Sequence, residues 1–228
     1  MTSLPSRWAA QHPDRIQLYS LATPNGQKIG IALEELGLPY EAHRINILKG
    51  DQFDPEYVQI NPNSKIPALI DPDGPSGEPL AIMESGAILI HLADKAGALL
   101  PADPAGRSAA IQWLFFQVGS IGPMFGQFGH FYKYAKGKTD IYGEARYGKE
   151  VTRLLGVLET ALADGRDWLV GEFSVADIAI IPWINALDYY GGKDFVGYSD
   201  FPRVDAWCQR FNARPGVQRG VKVCGFGD

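Results

Sequence analysis

The run Ile16-Gln17-Leu18-Tyr19-Ser20 has strand character, and within a few residues it gives way to Ile29, Leu33 and Leu36 at helical spacing, a pattern that Gly37 and Pro39 stop. Between the two lies Thr23-Pro24-Asn25-Gly26-Gln27-Lys28. A strand that turns directly into a helix aims unpaired backbone N–H groups and the positive end of a helix dipole at one point, which makes an anion site. Thr23 adds a hydroxyl there, and Asn25 has the side chain of an N-cap. Pro24 restricts Thr23 to extended geometry, so the turn is stiff before any ligand arrives. Taken alone, the same residues also describe an ordinary capped turn.

Two further segments extend the pattern. Asn61-Pro62-Asn63-Ser64-Lys65-Ile66-Pro67-Ala68-Leu69-Ile70 is a turn-rich approach to a strand, with Pro67 at its start, where a missing N–H is tolerated. Leu80-Ala81-Ile82-Met83-Glu84-Ser85-Gly86 is another strand, ending in the acidic-hydroxyl pair Glu84-Ser85 just before a helical stretch from Ala87 to Lys95. Around Gly97-Ala98-Leu99-Leu100-Pro101-Ala102-Asp103-Pro104 the periodicity breaks and then becomes purely helical, which predicts a linker at 98–104. Ile111, Leu114, Phe115 and Val118 open this second part, and Pro123 predicts a kink or break. Phe125, Phe128, Phe131, Tyr132 and Tyr134 follow, as core or as the wall of an apolar pocket. Tyr147, Val151, Leu154, Leu158 and Leu162 form the core stripe of the next helix, with Arg146 off its centre. Ser174-Val175-Ala176-Asp177 is an N-capping pattern before the apolar run Ile178 to Ile184, and a last helix runs from about Phe201 to Arg214.

Strand, helix, strand, then a Pro-started strand, a short strand and a helix give a thioredoxin-like half-domain. With the Thr23 loop, the Lys65-Ile66-Pro67 turn and the Glu84-Ser85 pair in that order, the chain resembles the cytosolic glutathione transferases from about Ile16 to about Arg214. Thr-Pro-Asn-Gly in the first turn, with Gly50-Asp51-Gln52-Phe53 and Glu84-Ser85-Gly86-Ala87-Ile88-Leu89, is similar to the bacterial nu class, whose members include disulfide-bond reductases. The resemblance implies an α/β plus all-α architecture: an N-terminal extension at 1–15, a thioredoxin-like glutathione-binding domain at 16–97, the linker, and an all-helical domain at 105–228. It also implies a cis Ile66–Pro67 bond, a buried capping box at Ser174, and a homodimer.

The resemblance assigns roles residue by residue. Thr23, with Asn25 at the helix start, stabilises the sulfur of a bound glutathione. Backbone at Ile66 pairs with its cysteinyl part, Glu84 and Ser85 hold the γ-glutamyl end, and Gln52 and Lys65 reach the glycyl carboxylate. Arg146 binds a carboxylate of a second glutathione. Tyr19 and Ser20, near the end of the first strand, are alternative partners for the sulfur, because other transferase classes use Tyr or Ser from that neighbourhood.

Several classes are disfavoured. A net charge of −5 with no Lys/Arg run argues against nucleic acid as the main partner. Hydrophobic residues at 46% allow a sizeable core, and residues 1–14 carry charge and two prolines without an apolar stretch, unlike a signal peptide or a membrane span. The expected location is the cytoplasm. His12, His43, His91 and His130 lack metal-ligand spacing, so no metal is expected. Cys208 and Cys224 are the only cysteines and are expected to be free thiols, with Cys208 buried in a helix.

No cysteine lies near Thr23, so a reactive thiolate at this turn must be brought in. An ordinary thiol ionises near ~8.5, and lowering that by about two units needs roughly 2.7 kcal/mol of preference for the anion. A hydrogen bond to a charged acceptor supplies about 1.5–3 kcal/mol and a helix N-terminus about 0.3–1 more. One hydroxyl and one helix start therefore suffice. The expected function is glutathione-dependent disulfide reduction; the alternatives are conjugation or thiolytic cleavage of an aromatic electrophile or aryl ether, and a non-catalytic regulatory or assembly protein on the same scaffold.

Overall fold

The computed structural model describes residues 4–138 and 141–227. The chain divides into two compact units, one formed by Met1–Ala98 with Pro215–Asp228 and the other by Leu99–Arg214.

The first unit is built on a four-stranded sheet in the order β2-β1-β3-β4. Strand β1 (Ile16–Ser20) pairs in parallel with β2 (Tyr40–Arg44) and antiparallel with β3 (Ala68–Asp71), which pairs antiparallel with β4 (Leu80–Met83). The β1 to β2 crossover is helix α1 (Pro24–Leu36), ended by Gly37 in the left-handed region. Ile29, Gly30, Ile31, Ala32 and Leu33 are all buried, so this helix is covered on more than one side. Helix α2 (Pro55–Ile60), not among the expected elements, is capped by Asp54 and sends Tyr57 and Ile60 into a core cluster with Tyr19, Ile45, Ala68 and Ile70. Leu4 and Trp8 of the N-terminal segment pack on the same cluster. Helix α3 (Ser85–Ala96) completes the layer, packing against α1.

The C-terminal segment departs from the expected boundary. The sequence reading ends the last helix before Pro215 and keeps 105–228 together, but a further helix α9 (Pro215–Gly220) packs on α1 in the first unit. The physical reason is close backbone approach: a Cβ on Gly220 would lie 2.4 Å from Ile31 Cα. Ala22 N then donates to Cys224 O at 2.9 Å, so the returning chain end brings a cysteine beside the first turn, where the sequence alone places none.

The second unit is helical: α4 (Pro104–Phe116), α5 (Gly122–Gly129), α6 (Ile141–Ala161), α7 (Val175–Tyr190) and α8 (Pro202–Asn212). The irregularity expected near Pro123 is a π-helical stretch at Gln117–Ile121 that runs directly into α5, with the change of hydrogen-bond register falling just before Pro123. Ser174 and Asp177 form a complete capping box at the start of α7. The buried Asp177 carboxylate accepts from Leu169 N, Ser174 N, Ser174 Oγ and Trp207 Nε1, while burial pushes its pKa up to about 6. The aromatic run divides: Phe125 and Phe128 are core, whereas Phe131 stacks on Tyr147 at 5.5 Å in a half-buried position and Tyr134 is exposed.

Candidate functional site

The cap of α1 is Thr23, not Asn25: Pro24 takes the first helical position, and Thr23 Oγ1 accepts from Gly26 N at 3.4 Å. The reason is proline's fitness for the first helical position, which puts the cap one residue earlier. Asn25 is the second residue of the helix. Gly26 is required by close packing, since a Cβ there would stand 1.8 Å from Leu21 O and 2.6 Å from Ser20 Oγ. The helix start is thus pressed onto the end of β1.

The loop before β3 is held from below. Tyr57 Oη donates to Lys65 O at 2.5 Å and Asn61 Nδ2 donates to the same oxygen at 2.7 Å. Asn61 Oδ1 accepts from Asn63 N at 3.0 Å. Lys65 itself is exposed, and the Ile66–Pro67 bond is cis, as the resemblance implied. At the other edge, Glu84 has a φ of 70°, which turns β4 sharply into α3. Glu84 is exposed and Ser85 buried.

These three segments meet in a cavity of about 170 Å³ lined by Asn25, Asn61, Lys65, Ile66, Pro67, Glu84 and Ser85. Five of the expected residues, Asn25, Lys65, Ile66, Glu84 and Ser85, therefore come together. Thr23 caps the helix that presents Asn25 but is not among the lining residues. Gln52 lies on the 3-10 turn Asp51–Phe53, also outside the lining, with Oε1 buried and without a hydrogen-bond partner among the described residues. Arg146 is exposed on α6 of the second unit.

Two residues to which the sequence assigns no role take part. Asn61, part of the turn, braces Lys65. Lys28 is fully buried, and its Nζ donates to Ser85 Oγ at 3.1 Å. Burial pulls its pKa down to about 7, against an upward pull from Glu84. The signal for its burial was present: Ile31 and Ala32, three and four residues on, share its side of the helix.

The rival sulfur partners are placed otherwise. Tyr19 is fully buried in the core, stacked on His43 at 4.7 Å, and burial raises its pKa. Ser20 lies buried under the first turn of α1, against Gly26. The chain's own thiols are suppressed: burial pushes Cys208 up to about 12 and Cys224 up to about 11. Among the described residues no group of His, Cys, Asp or Glu could hold a metal ion.

The lining has the chemistry for an amino-acid-like peptide ligand: a carboxylate (Glu84) for an ammonium, a hydroxyl at a helix start (Ser85) for a carboxylate, the backbone of Ile66 before the cis proline, and a cation (Lys65). Comparison with known proteins agrees. Residues 22–95 match the model of the glutathione S-transferase N-terminal domain, and residues 144–210 match that of the C-terminal domain. The chain belongs to the glutathione S-transferase family. It is 42% identical over 217 residues to the disulfide-bond oxidoreductase YfcG of Escherichia coli, covering 93% of this chain and 97% of the relative. A glutathione transferase family member from Pseudomonas fluorescens, solved with two glutathione bound, superimposes with a TM-score of 0.93 at 52% identity, covering 95% of this chain and 96% of that one. A glutathione transferase from Pseudomonas putida, with one glutathione disulfide bound per subunit, gives a TM-score of 0.93 at 50% identity and 95% coverage of both chains.

Proposed function

We propose that this protein reduces disulfides with glutathione, using the sulfurs of two bound glutathione molecules and none of its own. The observation that carries the reading is the pairing of a cleft suited to a γ-glutamyl peptide with two protein thiols that stay protonated at neutral pH. In the reaction, one glutathione thiolate attacks a sulfur of the substrate disulfide, forming a mixed disulfide and releasing one substrate thiolate, which takes up a proton. The second glutathione thiolate attacks the glutathione sulfur of the mixed disulfide. Glutathione disulfide forms and the second substrate thiol leaves, so two glutathiones are oxidised for each disulfide reduced.

In this reading Thr23 and Asn25 face the sulfur, and Ile66 offers its backbone to the cysteinyl part. Glu84 and Ser85 take the γ-glutamyl end, Gln52 and Lys65 the glycyl carboxylate, and Arg146 a carboxylate of the second glutathione. The substrate is a small disulfide, the compartment the cytoplasm, where glutathione is kept reduced, and the assembly a homodimer, for which a dimeric mass in solution is the expected finding. A second reading, attack on an aromatic electrophile or aryl ether, is favoured by the half-buried stack of Phe131 and Tyr147. Rates of glutathione disulfide formation with a small symmetrical disulfide, set against rates of conjugation to an aromatic halide, separate the two. Glutathione binding with no turnover of the disulfide overturns the proposal.

A further inference from the structure

Lys28 is 1% exposed, a burial that lysine almost never reaches unless paired. It stands on α1, and its ammonium crosses to the first residue of α3, Ser85, which lines the cleft. An ammonium has donors only, so when Lys28 is charged Ser85 Oγ must accept from it. The serine keeps one hydrogen of its own. With its inner side occupied by a donor, that hydrogen is directed away from Lys28, toward the cleft. If Lys28 loses its proton, the amine gains a lone pair and can accept from Ser85, and the hydroxyl then turns inward.

We propose that Lys28 is the positioning residue of the carboxylate subsite: its buried charge fixes Ser85 as an outward donor and stands behind that donor when a ligand carboxylate binds. This rests on the glutathione reading above and deepens it, naming the γ-glutamyl carboxylate as the group served. Binding and protonation of Lys28 are then linked. Burial disfavours the charge in the empty cleft, whereas a carboxylate at Ser85 favours it. Glu84 is the charged group acting on Lys28. On the helices packed against α1, Arg219 of α9 is engaged with Glu34 of α1, and His91 and Lys95 of α3 with Asp71; Glu35 and Asp94 complete their ionisable groups.

The test uses S-methylglutathione, which has no thiol to titrate, and the whole protein. Calorimetric titration at pH 6 and pH 8 is expected to show binding roughly tenfold weaker at the higher pH for the wild type, with proton uptake revealed by buffers of different ionisation heat. Lys28→Met is expected to bind weakly at both and to lose that difference. Should the variant not fold, the wild type carries the test alone: the side-chain NMR signal of Lys28 is expected to titrate near neutrality in the free protein and at least one pH unit higher when saturated with ligand. An unmoved Lys28 titration in a protein that does bind S-methylglutathione overturns the assignment and leaves the glutathione reading standing. Failure of the wild type to bind at either pH removes that reading and this assignment with it.

Discussion

Replacing Thr23 by alanine removes a helix cap and, in the proposed reaction, a thiolate donor, and the geometry separates the two. As a cap, Thr23 Oγ1 accepts from Gly26 N at 3.4 Å, longer than the usual range of about 2.7–3.2 Å. The stability loss should therefore sit at the low end for such caps, about 0.5 kcal/mol. The hydroxyl hydrogen is directed at Leu21 O across 3.5 Å, too far to hold it against a charged acceptor. A hydrogen bond to a thiolate is worth about 1.5–3 kcal/mol, which is about one to two units in the pKa of bound glutathione and about ten- to a hundredfold in rate. The pKa is read from the ultraviolet absorbance of the thiolate as pH is varied, alongside turnover and a denaturant midpoint. Thr23→Ala and Thr23→Val should raise the pKa and slow the reaction with little loss of stability; Thr23→Ser should stay near wild type. A lower midpoint with an unmoved thiol pKa would refute the reasoning and leave Thr23 as a cap only.

Ser174→Ala should cost about 1–2 kcal/mol in chemical denaturation without a direct effect on chemistry, and Asp177→Ala about 3 kcal/mol or more, because it leaves Leu169 N, Ser174 N and Trp207 Nε1 without their acceptor. Replacing Cys208 and Cys224 together by serine should leave disulfide reduction nearly intact, apart from a folding cost at the buried Cys208; loss of turnover in a folded variant would point to a protein thiol. Lys28 ionises near 7 when folded against an ordinary 10.5, so above pH 7 the unfolded chain binds a proton that the folded one does not. Stability of the ligand-free protein should therefore rise from about pH 7 to 9, a slope that Lys28→Met should abolish in urea titrations at several pH values.

Much of the fold could be read because its elements carry large apolar residues and explicit caps. Ile16–Ser20, the α1 stripe and the Ser174 box all fall where the pattern puts them. What escaped did so for identifiable reasons. Helix α9 is six residues long and buries Gly216, Val217 and Gly220, so a single apolar side chain is too little to leave a hydrophobic period. Helix α2 is short, yet Asp54-Pro55 is a legible start. The cap falls at Thr23, two residues before Asn25, because Pro24 itself takes the first helical position. In the site, Asn25, Lys65, Ile66, Glu84 and Ser85 converge on one cavity. Lys28 is signalled only by Ile31 and Ala32 on its side of α1, and its partner Ser85 lies on an element distant in sequence.

The division of charge within the first unit has a chemical logic under the proposed reaction. Both ends of the ligand meet a helix start, α1 at the sulfur and α3 at the amino-acid end, but the buried cation of α1 is committed to Ser85 and so to the carboxylate. The sulfur is left with a hydroxyl and backbone N–H groups. A thiolate's nucleophilicity falls as its pKa falls, and the best attacking thiol has a pKa near ambient pH. From an ordinary ~8.5, the about one to two units that Thr23 can supply bring the sulfur close to that optimum. A buried ammonium at the same atom would carry it well below, giving more thiolate but a weaker one. Charge for binding and neutral donors for reactivity is the arrangement that keeps glutathione both held and able to attack.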